Sequence, residues 1–187
     1  VSVANAIRRI IISEVQCVVF RTAPYEENLA TIVKNTSRMN NELIKQRISC
    51  IPIHITDDDF PRNDYVVELD VRNDSKEILY VTTGDFKIKH IPSDKYLDDG
   101  EKQMIFPKDK HTDDFIDIVR LRPKISETIA GEQIKMSMKL DIGTAKQDGA
   151  FNVVSTCAYA ATPDVQGIET AWAMIEKQMK SDGKSED

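Results

Sequence analysis

The stretch QIKMSMKLDIG, residues 133–143, alternates strictly: Ile134, Met136, Met138, Leu140 and Ile142 fall on one side, Lys135, Ser137, Lys139 and Asp141 on the other. A period of two places one face on a core and the other in water, so this is a half-buried antiparallel strand that needs sheet neighbours. Working outward, residues 65–71, 77–82, 86–89 and 115–121 have the β-branched and aromatic texture of strands, and residues 151–159 continue it after a Gly-containing turn. Between Pro92 and Asp114 the chain is charged, with two prolines, one glycine and little apolar periodicity, which reads as an exposed, mobile excursion.

Towards the N-terminus the period changes. Val3, Ile7, Ile10, Ile11 and Glu14 follow Ser2, a candidate N-cap, at helical spacing, while Asn5, Arg8, Arg9 and Ile12 fall opposite. Residues 16–21 and 30–34 then read as two strands, a hairpin or a pair of sheet neighbours, around the polar turn at 25–28. Ser37 is the N-cap candidate for a second helix with Met39, Leu43, Arg47 and Ile48 on one stripe; Pro52 forces Ile51 out of the helical region, so this helix stops near Ser49. A polar break beginning at Thr56 marks an expected domain boundary. Pro163-Asp164 can start a last helix with Ile168, Trp172, Ile175 and Met179 on one stripe.

Composition narrows the function classes. The chain has 187 residues with 25 Lys and Arg against 31 Asp and Glu, a net charge of −6, which disfavours holding nucleic acid by an overall field. Cys17, Cys50 and Cys157 are odd in number and widely separated, so they frame neither a disulfide scaffold nor a thiolate zinc site and suit a reducing compartment. The apolar runs are far shorter than the roughly 20 residues of a membrane helix, so a soluble, intracellular protein is expected. A start at Val1, inside a helix, reads as a fragment.

VSVANAIRRIIIS at residues 1–13, with NTSRMNNELIKQRISCIPI at 35–53, resembles the dimerisation domain shared by the bacterial RNA polymerase alpha subunit, its archaeal counterpart and the third-largest subunit of eukaryotic RNA polymerase II. The shared pattern is an Asn-Ala-x-Arg-Arg helix, an Asn-x-Ser element, and a helix ending in Arg shortly before Pro. The resemblance implies an α+β fold in which a split dimerisation domain is interrupted by an inserted mainly-β domain. It divides this chain into 1–55, the N-terminal part of the dimerisation domain; 56–162, the insertion; and 163–187, a helix and tail returning toward the first domain. It also implies a non-catalytic scaffold that pairs with a related small subunit and gathers the large catalytic subunits, in the nucleus or in a cytoplasmic viral factory; a large-DNA-virus member is the version favoured. The cysteine-rich zinc loop of the eukaryotic relatives, the iron-sulfur domain of some archaeal ones and the bacterial DNA-contacting domain have no counterpart here, so no metal or cofactor is assigned. The closing strand and long second dimerisation helix of the family are not recognisable before Asp187.

Carried over residue by residue, Val3, Ala6, Ile7, Ile10 and Ile11 are the expected dimer interface, and Arg8, Arg9, Arg47, Ile51 and Pro52 the expected large-subunit contacts. Plainer readings stand beside these: a core-packed helix for 3–14, solvated charges for Arg8 and Arg9, and for Arg47 a cation satisfying the last carbonyls of its own helix. Rival functions are a stand-alone β-domain protein-binding module, and a metal-dependent hydrolase centred on His54 with Asp57, Asp58 and Asp59. His90 and His111 have no evident partner in the sequence, and Lys87, Lys89 and Lys108 lack the aromatic rhythm of a single-strand nucleic-acid groove.

Overall fold

The computed structural model describes residues 1–55, 60–126 and 128–181. The fold is α+β with antiparallel sheets, as the alternation of 133–143 requires. The chain splits into two compact units, Arg9–Cys157 and a smaller one made of Val1–Arg8 with Ala158–Asp187. Each is taken by itself below.

The larger unit is organised around β8 (Gln133–Thr144), whose Ile134, Met136, Met138 and Leu140 are all buried. Its strand neighbours explain that burial. β3 (Tyr65–Arg72) pairs with β8 through Val67↔Met138, and β2 (Ala30–Asn35) through Ile32↔Met136, both antiparallel. Since β2 and β3 use the same residues of β8, they lie along its opposite edges. β1 (Gln16–Phe20) extends the pairing along the far half of β8, with Val18 opposite Ile142. β3 continues to β5 (Lys87–His90) and β6 (Lys95–Tyr96), completing a six-stranded sheet. β4 (Leu79–Thr82) and β7 (Asp117–Leu121) form a separate antiparallel pair.

This arrangement corrects two expectations. β1 and β2 do not pair with each other; each finds its partner in β8, far later in the chain. The change of texture at Thr56 does not divide the core either. Phe20, Ala30, Ile44 and Ile48, from before it, share one cluster with Val67, Phe86, Ile118 and Met136, from after it. A local polar segment is a signal of exposed chain, and a sheet can close across it.

α2 (Asn41–Ser49) buries Ile44 and Ile48 into this cluster. Its N-cap is Asn40, whose side-chain oxygen accepts from the Leu43 N–H at 2.9 Å. Ser37, the residue expected there, belongs instead to a turn closing β2: Asn35 Oδ1 accepts from the Ser37 N–H (2.9 Å) and hydroxyl (2.7 Å), and Asn35 Nδ2 donates to the Met39 carbonyl (2.8 Å). The same side-chain bonds recur after β3, where Asn73 Oδ1 accepts from the Ser75 N–H (3.0 Å) and hydroxyl (2.7 Å) and Asn73 Nδ2 donates to the Glu77 carbonyl (2.8 Å). The two strands flanking β8 thus end in one repeated Asn-x-Ser device, which satisfies backbone groups where the ladder stops.

The stretch from Pro92 to Asp114 is not a featureless excursion. It contains β6 and α3 (Asp99–Ile105), the latter opened by a capping box in which Asp98 accepts from the Glu101 N–H and Glu101 from the Asp98 N–H. It then delivers Phe106, 2% exposed, to the core, stacked on Phe20 with ring centres 6.0 Å apart and edge-on to Phe86 at 5.1 Å. Burying a ring of this size contributes roughly 1.5–3 kcal/mol, enough to pin a segment that the charge content alone describes as loose. Conversely, residues 151–159 form no strand. Phe151 ends a 3₁₀ turn and is buried, but Val153 and Tyr159 are exposed, so the alternating pattern has no core to face.

Arg21, at the end of β1, is buried with three partners: Asp141 at 2.5 Å, the Ile142 carbonyl at 2.8 Å and Glu27 at 3.2 Å. The bonds tie β1 and the turn after it to the polar edge of β8.

In the smaller unit, α4 (Val165–Ser181) begins where Asp164 accepts from the Gly167 N–H at 3.0 Å, the start that Pro163-Asp164 suggests. None of its described side chains is buried. α1 (Ser2–Ser13) runs across the division between the units and also buries no residue. Among the described residues no helix is long and apolar enough to cross a membrane.

Candidate docking surface

α1 carries the first set of expected site residues. Its broad apolar face is in solvent: Val3 is 73% exposed, Ile7 53% and Ile10 55%, with Ala6 exposed and Ile11 half-buried. The structure therefore brings the five expected interface residues onto one helix and covers none of them completely. Each aliphatic side chain left in water forgoes roughly 1.5–3 kcal/mol that full burial would supply.

The opposite side of α1 is held differently. The Arg8 guanidinium is spent within the helix, donating through Nε (3.0 Å) and Nη2 (2.9 Å) to Asn5 Oδ1. Arg9 is exposed, and its carbonyl accepts from the Ser13 hydroxyl. The C-terminal end is anchored: the Lys146 N–H donates to the Ser13 carbonyl, and Lys146 Nζ pairs with Glu14, both at 3.1 Å. One end of the helix is thus fixed by the turn that follows β8.

The second set of site residues surrounds the end of α2. Arg47 neither caps its own helix nor points freely outward; its Nη2 donates to the Asp117 carbonyl of β7 at 2.7 Å, joining helix to sheet pair. Ile51 is a correction to the expected contact set. It is 5% exposed and packs in the core, so it offers no surface to a partner, whereas Pro52 beside it is exposed.

Pro52 stands at the lip of an open cleft of about 330 Å³ whose lining includes Cys17, Val19, Cys50, Ile51 and Phe151. Gly143 makes the floor possible, because a Cβ there would stand 2.6 Å from the Phe151 ring. The Cys17 thiol points to the Phe151 carbonyl at 3.4 Å, and burial pushes its pKa up, so it remains a protonated, weakly reactive group. Cys50 is exposed at the C-cap of α2.

His54 is exposed next to Ile53 and Ile55, and its backbone N–H donates to the Ile105 carbonyl. Asp57, Asp58 and Asp59, the carboxylates of the metal reading, lie outside the described residues. Sequence reasoning missed Arg21 as the cation that locks β1 to β8. The signal was present: an arginine closing the apolar run Cys17-Val18-Val19-Phe20 is carried into the sheet, and Asp141 is the one acid among the polar positions of 133–143.

The chemistry α1 offers is burial of aliphatic groups on a helix that also carries the exposed Arg9; Pro52, on the larger unit, is an exposed prolyl position of its own. No family model and no curated protein matches the chain.

Proposed function

We propose that the chain is a non-catalytic assembly component of a DNA-directed RNA polymerase built from several subunits, pairing through α1 with a related small subunit so that the pair gathers the large catalytic subunits. The observation that carries this reading is α1: a strongly amphipathic helix whose apolar face is left bare by the chain that bears it. That bare face coincides with the Asn-Ala-x-Arg-Arg string, at Asn5-Ala6-Ile7-Arg8-Arg9, on which the family resemblance rests. Arg9 and Pro52, both exposed, are the positions left for the large subunits, with Arg47 acting by holding α2 against β7.

A second reading, a stand-alone protein-binding module, is favoured by one feature: the Arg9–Cys157 unit closes its own sheet and core from its own residues. Co-purification separates the two. Replacing Ile7 and Ile10 together by Asp abolishes recovery of a small polymerase-type subunit and of the large subunits with it, because charge is then buried unpaired at the seam. Undiminished recovery of the complex with the doubly substituted chain overturns the assignment of this interface; recovery of unrelated proteins and no polymerase subunit from the unsubstituted chain favours the module.

A further inference from the structure

α4 carries a second bare face, at the other end of the chain's sequence and independent of the α1 reading. Val165, Ile168, Trp172, Ile175 and Met179 are spaced three, four, three and four residues apart, the a/d rhythm of a coiled coil, and are 60, 59, 60, 42 and 50% exposed. Their flanks are unequal in charge. Glu169 and Glu176 border the stripe on one side, while Ala171 and Gln178 border it on the other with Asp164 at its start. Lys177 falls on the face away from the stripe.

Those flanks discriminate among occupants. A second copy packed antiparallel sets Glu169 of each helix against Glu176 of the other. A second copy packed parallel sets Asp164 against Glu169. Both place like charges at the positions that decide coiled-coil pairing. An anionic membrane surface meets the same carboxylates. A helix with an apolar stripe bordered by Lys or Arg meets complementary charge along the acidic flank and neutral, small side chains along the other.

We infer that α4 is a docking helix for a partner protein that presents a basic-flanked amphipathic helix. The stripe runs through little more than two heptads, so the contact is short, supplies one element of a larger interface, and takes much of its selectivity from charge.

The chain supplies its own reporter, since its single tryptophan, Trp172, sits at the centre of the stripe. The whole chain is titrated with a synthetic three-heptad helix bearing Leu and Ile at a and d and Lys at the flanks, and with the same peptide bearing Glu there. The Lys peptide shifts Trp172 emission to the blue, saturably, and binds about tenfold more tightly than the Glu peptide, a difference that shrinks with added salt. The variant Glu169→Lys/Glu176→Lys, at exposed positions that leave the fold intact, reverses the preference. Equal affinity for the two peptides overturns the inference. So does an emission maximum already at the buried position in the free chain, self-association abolished by Trp172→Glu, or a blue shift produced by phosphatidylcholine vesicles and by neither peptide.

Discussion

α1 and α2 are both short amphipathic helices, and they have opposite fates. α1 is the more strongly amphipathic, yet it buries nothing; α2 is the weaker and sinks Ile44 and Ile48 completely into the core. Amphipathicity measures how much a helix gains from a cover and does not say which molecule supplies it. α2 has its cover within the chain, from β1, β2 and β7. α1 is held by one end, through Ser13 and Glu14, and Val3, Ile7 and Ile10 of its apolar face are exposed.

Truncation separates the two helices most sharply. Ile48→Ala removes fully buried methyl groups and leaves a cavity, and lowers stability by about 3 kcal/mol in denaturant unfolding. Arg47→Ala is intermediate: it frees the Asp117 carbonyl to water at an exposed site and costs about 1 kcal/mol in the same assay. Ile10→Ser, on α1, changes the stability of the isolated chain by no more than about 0.5 kcal/mol, because the side chain is already in solvent. A loss at Ile10 as large as that at Ile48 shows that α1 is covered by its own chain, and the contrast between the helices collapses.

The sequence made the elements legible and their partners less so. The limits of α1 and β8 follow from periodicity, those of β1, β2 and β3 from short apolar, β-branched runs, and the start of α4 from Asp164 as a cap. The pairing of β1 and β2 was not readable: nearness in sequence suggests a hairpin, and only the length of β8 allows it to accept both strands. α3 was missed although Asp98 and Glu101 stand at capping-box spacing, because no apolar period follows so short a helix. Phe106 was missed because a lone aromatic carries no periodicity; its role rests on Phe20 and Phe86, from distant parts of the chain. On α1, spacing placed Val3, Ile7, Ile10 and Ile11 on one face; the first three are exposed and Ile11 is half-buried. Ile51 failed because the residue before a proline is constrained in backbone, which leaves open whether its side chain points inward or out.

The placement of β8 also sets an order of events during synthesis. Strands β1 and β2 leave the ribosome long before β8, the strand with which both pair, and at about 5–20 residues per second the wait is roughly ten seconds. Until then Val18, Phe20 and Ala30 have no sheet to enter, and the pairing that ends the wait is long-range and slow to nucleate. The exposed aliphatic residues of α1, Val3, Ile7 and Ile10, stay in solvent after β8 has paired, so that pairing gives them no cover.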